Sequence, residues 1–350
     1  MCFFSINTFF YDKIIIEIRI MVKCMSNIKD VAKLAGCGIA TVSRVINKSG
    51  YVKKETREKV EKVIIELGYQ PNEIARSMTR QKNNLVAFIL PNSKHIFFGE
   101  LLYYVEEELF NYGYKLMLCN SSEKIEKEIV YLDMLKNNRV DAVILLTNND
   151  VEQYLNKNLP IVSFDRYFEN VPYVASDNYH GGVLAAKRLI SHGCKNIMFI
   201  GDDAQGEHTQ VKTDVSKRRL GFINTLKDNN IKNIISLEYP LQNYFVSEEQ
   251  FSNLLKPYTG VDGVFCISDA VAYTVIKVFQ SKGIRVPEDV KVIGFDGGRS
   301  FNNLGMKITS INQNSKKIAI AICKLLLGFD IHNRNKSIII PVEIAEGDTA

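Results

Sequence analysis

Cysteine and histidine are common metal ligands and cysteine also forms disulfides, but neither residue type is spaced for these roles in this sequence. The seven cysteines stand singly, at Cys2, Cys24, Cys37, Cys119, Cys194, Cys266 and Cys323, whereas zinc sites and disulfide frameworks use closely paired cysteines. The five histidines lack metal-ligand spacing as well; they are His95, His180, His192, His208 and His332. We therefore expect no metal and no cofactor, and a reduced cytoplasmic environment fits the single cysteines best.

Positive charge is concentrated near the start of the chain. Residues 26–82 carry +6, from 12 lysines and arginines against six acidic residues, although the whole chain carries only +5. Residues 1–25 carry +1, so residues 83–350 carry −2. Clustered basic charge neutralises phosphates, so only the first part of the chain is predicted to meet a polyanion. A solvated lysine-rich helix is the alternative interpretation of the charge alone.

Apolar residues at helical spacing predict three short helices within this basic region. The pattern of residues 28–35 breaks at 36–38 and resumes over 42–46, which indicates two helices joined by a tight turn. A third helix is predicted over 54–67, ending at Gly68 in a left-handed cap. The arrangement predicts a helix-turn-helix, although the spacing alone also fits other small helical bundles.

Residues 83–350 show a different hydrophobic pattern, in which apolar runs of strand length alternate with amphipathic segments of helix length. The predicted strands include 85–90, 115–119, 142–146, 161–164, 196–201, 263–267 and 290–295, and the predicted helices include 99–112 and 126–137. Repeated strand–helix–strand units imply parallel sheets with helices on both faces. They are too many for one sheet, so we predict two doubly wound subdomains with a ligand cleft at the carboxyl ends of their strands.

The first 25 residues are apolar and aromatic but do not fit a targeting or membrane segment. Charged residues interrupt them before any run reaches the roughly 18 residues that a membrane helix needs. They also lack the basic start and small-residue cleavage site of a secretory signal. We expect 1–25 to be an extension that results from a start placed too early, with translation beginning at its last residue, Met25, and we expect no membrane association.

The segments NIKDVAKLAG (27–36) and TVSRVIN (41–47) resemble the DNA-binding signature of the LacI/GalR family of transcriptional regulators. Further matches follow in register, at Thr56-Arg57, Leu67-Gly68-Tyr69, Pro71-Asn72 and Ala75-Arg76-Ser77. The resemblance continues through Phe97-Phe98, Asp165-Arg166, Asp177-Asn178, Gly294-Phe295-Asp296 and Gln313, and so covers nearly everything after Met25. Within the family, the segments 95–98, 176–178, 296–297 and 346–348 are similar to repressors of sucrose and ribose operons.

The resemblance implies a domain organisation. It places an all-α helix-turn-helix DNA-binding domain at 26–70, a hinge helix with its linker at 71–82, and at 83–350 an α/β domain like the type I periplasmic binding proteins, which binds sugar and dimerises. Two doubly wound parallel-sheet subdomains are expected in the last, one of about 83–176 with 314–340 and one of about 177–313 with 341–350.

The resemblance also implies which residues contact DNA, because the second helix of such a unit lies in the major groove with its N-terminal residues on base edges. The implied contact residues are Lys29, Ile39, Ala40, Thr41, Ser43, Arg44, Asn47, Tyr51, Lys53, Asn72, Ala75, Arg76 and Met78. Ile39 and Ala40 would face bases, and Arg44 would contact a base or a phosphate.

Two residues depart from the family pattern in this region. Gly38 stands where a serine is usual, so a helix-capping hydroxyl is missing. Met78 stands where a leucine usually wedges into the minor groove, and its thinner side chain is expected to kink the duplex more softly. Both departures predict a weaker grip on DNA.

The implied ligand pocket combines aromatic walls with polar hydrogen-bonding groups, as hydroxyl-rich ligands require. Its residues would be His95, Phe97, Phe98, Asp165, Arg166, Arg218, Phe245, Ser268, Asp296 and Gln313. His95 and Ser268 each replace a frequent family asparagine, which blurs the identity of the ligand. Asp177 and Asp269 are assigned instead to subdomain crossings or helix starts.

The function that the resemblance implies is that of a homodimeric, cytoplasmic repressor of a carbohydrate uptake or catabolism operon. It would bind double-stranded operator DNA and be released by a sugar or sugar phosphate. The alternatives are a global catabolite regulator that uses a protein co-effector, and an exported sugar receptor, which would not explain the basic helices. Paired carboxylates such as Asp165 and Asp296 also occur in enzymes, but no phosphate-binding glycine loop or nucleophile motif accompanies them, so we expect no catalysis.

Overall fold

The computed structural model describes residues 26–70, 82–201, 213–238, 248–297, 305–330 and 336–350. The chain divides into two compact units between Asn83 and Asn84. Several of the segments and candidate residues named above lie outside the described residues: 1–25, 71–81, Asn72, Ala75, Arg76, Met78 and Phe245.

Three helices form the described part of the first unit, as the apolar spacing predicted. They are α1 (Ile28–Ala35), α2 (Ile39–Ile46) and α3 (Lys54–Leu67). Each helix turns one apolar face inward, and the buried residues are Val31, Ala32, Ala35, Val42, Val45, Val60 and Val63. Because these side chains are small, the helices approach closely and leave their charged faces in solvent.

Local capping explains where these helices begin and end. Asn27 starts α1 with a capping box, since its side chain accepts from the Asp30 N–H and its own N–H donates to Asp30 Oδ2 at 2.9 Å. Gly36 and Gly68 end α1 and α3 in the left-handed region, at φ +64° and +57°. Gly38, at the start of α2, makes no side-chain cap, which leaves that helix end without the usual hydroxyl acceptor.

The first sheet of the second unit has six parallel strands. They are β1 (Leu85–Leu90), β2 (Lys115–Asn120), β3 (Ala142–Leu145), β4 (Ile161–Phe164), β5 (Tyr173–Ser176) and β11 (Ser337–Ile340). Their order across the sheet is β11-β5-β4-β3-β1-β2. Helices α4 (Ile96–Asn111) and α10 (Ser315–Leu327) cover one face, and α5 (Ile125–Lys136) covers the other. Alternate residues of β1 accordingly join two separate cores.

The second sheet repeats this architecture. Its strands are β6 (Asn196–Gly201), β7 (Asn233–Glu238), β8 (Gly263–Cys266), β9 (Lys291–Asp296), β10 (Thr309–Asn312) and β12 (Glu343–Ala345), in the order β12-β10-β9-β8-β6-β7. The helices beside it are α6 (Asn178–Ser191), α7 (Ser216–Asp228), α8 (Glu248–Leu255) and α9 (Asp269–Ser281). The predicted fold class is confirmed, with one correction: the edge strand β12 runs antiparallel to β10.

Two details of the fold set the position of the site. The chain passes between the sheets three times, after β5, before α10 and between β11 and β12, so the carboxyl ends of strands from both sheets border one space. Helix α4 begins at Ile96, three residues before the predicted start at Gly99. Phe97 and Phe98 therefore lie in its first turn rather than in the preceding loop.

Gly182 allows α6 and α7 to pack at close range. A Cβ at this position would lie 2.0 Å from the Arg218 carbonyl oxygen and 2.7 Å from the Phe222 amide nitrogen. Because both atoms belong to the backbone, no side-chain rotation relieves the overlap, and we expect Gly182→Ala to lower the free energy of unfolding by about 2–3 kcal/mol. Urea denaturation measures this. The control is Gly99→Ala, whose added Cβ meets nothing closer than 4.0 Å; equal losses in the two variants would contradict the prediction.

Candidate functional site

A cavity lies between the two sheets of the second unit, at the carboxyl ends of their strands. Its lining residues are His95, Phe97, Phe98, Leu146, Thr147, Asn148, Phe164, Asp165, Thr213, Val215, Arg218, Ile267, Ser268, Asp296 and Gln313. Eight of the ten residues predicted for a ligand pocket are among them. The walls combine apolar rings with charged and amide groups, which is the make-up of a site for a small polar ligand.

Two carboxylates, one from each sheet, line the cavity. Asp165 directly follows β4, and its Oδ1 accepts hydrogen bonds from the Ser176 N–H and from Asn178 Nδ2, each at 3.3 Å. Asp296 ends β9, and its Oδ1 accepts from Gln313 Nε2 at 2.6 Å. Both aspartates have positive φ, +54° and +118°, which is uncommon outside glycine and recurs at functional sites. These carboxylates are held in place as acceptors for hydroxyl groups.

Arg218, from α7, supplies the buried positive charge of the cavity. Its Nε donates to Asn178 Oδ1 and its Nη1 donates to the Ile267 carbonyl oxygen, both at 2.7 Å. Its Nη1 also lies 4.0 Å from Asp296 Oδ1, and its guanidinium stacks 3.6 Å from the centre of the Phe295 ring. Because these four contacts hold its guanidinium in place, Arg218 is a fixed positive charge that balances the negative charge of the neighbouring carboxylates.

Burial shifts the protonation equilibria of the cavity groups. Burial raises the pKa of Asp165 to about 6, and the charge of Arg218 opposes that rise. The pKa of Asp296 is raised for the same reason, with Arg218 and the Gln313 hydrogen bond opposing it and Asp165 adding to it. Burial, and then Arg218, lowers the pKa of His95 to about 4. At neutral pH His95 is therefore uncharged, while the carboxylates lie close to their titration range.

The aromatic wall comes from the start of α4. His95 Nε2 lies 3.9 Å from Asp296 Oδ2, and the His95 ring lies 4.7 Å from the Phe98 ring. Phe97 stacks on Phe164, with 6.1 Å between ring centres. Phe97 is only 3% exposed, so most of its surface packs the core, whereas Phe98 is partly accessible. Phe98 is thus the ring more available for stacking on a ligand.

Gln313 connects groups of the two sheets at the edge of the cavity. Its Oε1 accepts from Ser176 Oγ at 2.7 Å, while its Nε2 donates to Asp296. Ser176 ends β5 of the first sheet and Asp296 ends β9 of the second. A shift of one sheet against the other would alter this chain of hydrogen bonds, so Gln313 can couple cavity contents to subdomain position.

Three more predicted residues have structural partners. Ser268 is the N-cap of α9 and accepts from the Val271 N–H at 3.4 Å, although it also lines the cavity. Asp177 caps α6 through the His180 N–H, and Asp269 accepts from Ser310 Oγ at 2.7 Å. Asp177 thus stands at a helix start, as its assignment expected, whereas the Asp269 side chain bonds a residue of strand β10.

Arg166 is not brought to the cavity, which differs from the prediction. Its guanidinium donates through Nη1 to the Asn149 carbonyl oxygen, lies 3.9 Å from Asp150 Oδ1, and stacks 4.4 Å from the Phe168 ring centre. The reason is the backbone: Asp165 takes a positive φ and faces the cavity, and the next side chain then points behind the wall.

Sequence reasoning missed several lining residues, notably Thr147, Asn148 and Thr213. A signal existed for the first two, because they lie within three residues of the end of β3, and the carboxyl end of a parallel strand is the expected ligand edge. Thr213 precedes α7 in an irregular segment, where no periodicity marks it.

Six of the nine described residues that are predicted to contact DNA are exposed. Ile39, at the start of α2, is 44% exposed although it is apolar, and Tyr51 is 84% exposed. Lys29, Ala40, Arg44 and Lys53 are exposed as well, while Thr41, Ser43 and Asn47 are half-buried. Asn47 Nδ2 donates to Ser43 Oγ at 3.1 Å. An exposed apolar residue at a helix start, beside basic side chains, is suited to contact a surface rather than to stabilise the fold.

Comparison with protein families gives two matches that together span most of the chain. Residues 27–72 match the family "Bacterial regulatory proteins, lacI family", and residues 83–344 match "Periplasmic binding proteins and sugar binding domain of LacI family". The chain belongs to the LacI family. The resemblance read from its motifs is therefore confirmed, and the chain is a DNA-binding transcription regulator with a body of the periplasmic-binding-protein type.

Two curated LacI-family relatives illustrate the similarity. The sucrose operon repressor of Streptococcus mutans serotype c is 36% identical over 329 residues, which cover 93% of this chain and 99% of that protein. The ribose operon repressor of Halalkalibacterium halodurans is 37% identical over 306 residues, covering 87% and 90%.

Solved LacI-family structures have the same fold. A lac repressor dimer bound to operator and the anti-inducer ONPF superimposes with a TM-score of 0.80 at 20% identity, covering 93% of this chain and 98% of that one. A periplasmic binding protein/LacI transcriptional regulator from Alkaliphilus metalliredigens, complexed with D-xylulofuranose, has a TM-score of 0.64 at 28% identity, covering 76% and 99%. Among the residues described for this chain, no helix has the length and apolar character to cross a membrane.

Proposed function

We propose that this LacI-family regulator is a cytoplasmic, non-enzymatic repressor of a carbohydrate uptake or catabolism operon, and that a sugar or sugar phosphate releases it from its operator. The observation that carries the proposal is the cavity, where Asp165, Asp296, Arg218 and Gln313 offer fixed hydrogen-bonding groups beside the Phe98 ring. The sucrose and ribose operon repressors that resemble this chain support the same ligand class.

The proposed mechanism couples the cavity to DNA through the two sheets. Two protomers pair through their bodies and present two helix-turn-helix units to half-sites about one helical turn apart. A sugar draws together groups from both sheets, including Asp165 and Asp296, and so shifts one subdomain against the other. A coupling of roughly 1–3 kcal/mol between the sugar and operator sites suffices to release the DNA.

Gel-shift assays with the DNA upstream of the gene and its neighbours test this function. The full-length protein should retard one fragment in the presence of competitor DNA. One member of a panel of sucrose, fructose, glucose, ribose and their phosphate esters should then release it. Absence of specific retardation would overturn the proposal. Tighter operator binding in the presence of sugar would mean that the sugar is a co-repressor rather than an inducer. A requirement for an added phosphocarrier protein would favour the global-regulator alternative.

Effector binding is expected to weaken as the pH falls. Effector hydroxyls donate to ionised carboxylates, and the raised pKa values of Asp165, to about 6, and of Asp296 mean that acid protonates these acceptors. Because the sugar binds the ionised form of the carboxylates, the affinity for sugar should be constant near pH 8. As the pH drops through 6, this affinity should fall by up to about tenfold per pH unit for each carboxyl group that must lose its proton. Calorimetry from pH 5 to pH 8 measures this. Asp296→Asn should flatten the profile, and an unchanged slope in that variant would exclude Asp296 as the titrating group.

Met78 provides a test of the hinge. The LacI family usually places leucine at this position, where it wedges into the minor groove, so Met78→Ala should weaken operator binding by about tenfold or more, on the order of the few kcal/mol that unstacking involves. Sugar binding by the same variant should be unchanged, since the cavity is built from other residues. Gel shift and calorimetry on one preparation give both values, and equal operator affinity would refute the wedge.

A further inference from the structure

Glu128 is a fully buried carboxyl group that does not line the cavity. It lies in α5, among the apolar residues that pack this helix against the first sheet, and it is 0% exposed. Its Oε2 accepts a hydrogen bond from Thr147 Oγ1 at 2.6 Å. Burial raises the pKa of Glu128, and the Thr147 hydrogen bond, the polar groups of Ser121 and Asn149 nearby and the charge of Arg166 oppose the rise. A carboxyl group in such surroundings costs free energy that an apolar side chain would not.

The partner of Glu128 belongs to the segment that forms one wall of the cavity. Leu146, Thr147 and Asn148 all line the cavity. The hydroxyl of Thr147 also accepts from the Asn149 N–H at 2.9 Å, and Asn149 Nδ2 donates to the Glu123 carbonyl oxygen at 3.0 Å. Glu128 thus anchors a turn that has no regular secondary structure of its own.

Arg166 anchors the same turn from another direction. Its Nη1 donates to the Asn149 carbonyl oxygen, and its guanidinium lies against Phe168 and near Asp150. The Arg166 carbonyl oxygen accepts from Ser163 Oγ at 2.6 Å, which fixes the backbone immediately after the cavity residue Asp165.

We propose that Glu128 and Arg166 are positioning residues that clamp the turn 147–150 and thereby set the effector affinity of the cavity. The turn is held by the Glu128 carboxyl group through the Thr147 hydroxyl and by the Arg166 guanidinium through the Asn149 carbonyl. Neither residue lines the cavity, so each acts through the turn. The proposal rests on the proposed function, since it assumes that the cavity is the effector site.

A double-mutant cycle tests whether Glu128 acts through Thr147. Glu128→Leu should lower effector affinity at least tenfold, whereas Glu128→Gln, which keeps an acceptor for the hydroxyl, should stay within about threefold of the parent. In a Thr147→Val background, Glu128→Leu should add less than about twofold, because the bond it breaks is already absent. The matched control is Glu126→Gln on the exposed side of α5, which should change nothing. Additive effects, or a parent-like Glu128→Leu, would overturn the proposal.

Hydrogen exchange provides a readout that does not require effector. In the effector-free full-length protein, Glu128→Leu should raise amide exchange at 147–150 while exchange in the strands of the second sheet stays the same. If Glu128→Leu does not fold, Arg166→Met takes its place, with the same local increase expected. Should the parent protein bind no sugar, the proposed function fails, but the exchange data still decide on the clamp. Uniformly raised or unchanged exchange would count against the clamp.

Discussion

Replacing Arg44 with alanine is expected to reduce operator affinity by about 5- to 150-fold for each half-site, which corresponds to the 1–3 kcal/mol of an arginine-to-guanine fork. Arg44 lies in the last turn of α2, the helix predicted to enter the major groove, and is exposed. Its Cδ lies 3.6 Å from the position that a Cβ added to Gly50 would take. In a dimer both half-sites lose the contact, so the total effect is larger still. Quantitative gel shifts on operator and scrambled DNA measure it.

The comparison variant for Arg44→Ala is Lys62→Ala. Lys62 is 78% exposed on the outer face of α3, and its replacement removes the same formal charge. Lys62→Ala should weaken binding to operator and to scrambled DNA slightly and by the same factor. Arg44→Ala should instead reduce the ratio of the affinity for operator to the affinity for scrambled DNA. If Arg44→Ala instead weakens both DNAs equally, Arg44 contacts phosphate and reads no base.

Arg218→Met is expected to abolish the effector response and to lower the free energy of unfolding by about 3–5 kcal/mol, the usual result of removing one partner from a buried charge group. The substitution leaves Asp165 and Asp296 without their compensating cation and takes donors away from Asn178 and the Ile267 carbonyl oxygen. Urea denaturation measures the stability, and calorimetry with the identified sugar measures the binding.

The neighbouring Arg219 supplies the control for Arg218. Its Nε donates to Ser236 Oγ at 2.9 Å and its Nη2 lies 3.4 Å from Glu238, but its side chain is 27% exposed. Arg219→Met should therefore cost no more than about 1 kcal/mol and leave sugar binding intact. If both variants lost a similar free energy of unfolding, the two arginines would stabilise helix α7 rather than the charged groups of the cavity.

Local patterns predicted much of the backbone. The strands β1, β4 and β6 and the helix α3 have the bounds that their apolar runs and caps indicate, because burial on both sheet faces demands continuous apolar sequence. Element ends marked by no cap or glycine were less accurate. The helix predicted to start at Gly99 begins at Ile96, with no side-chain cap at His95 to signal it.

For the candidate site, composition and periodicity predicted where a ligand would lie but not which side chains face it. Asp165 and Arg166 are adjacent and both polar, yet one lines the cavity and the other clamps the turn behind it. Asp165 has a positive φ, and its side chain accepts hydrogen bonds from Ser176 and Asn178, which lie further along the chain, so a pattern confined to residues 165 and 166 does not show which of the two faces the cavity.

The sequence by itself determined the three basic helices and the two-sheet class of the body, because short-range spacing and charge encode helices, strands and a polyanion-binding surface. The LacI family followed from the resemblance of its motifs. The family resemblance predicted that Asp165, Arg218, Asp296 and Gln313 line one cavity, whereas only the tertiary structure decided the contacts that join them and the contact by which Glu128 holds Thr147 from behind. These residues lie far apart in the chain, and their meeting depends on how three crossings bring the strand ends of two sheets together. No local pattern carries that information.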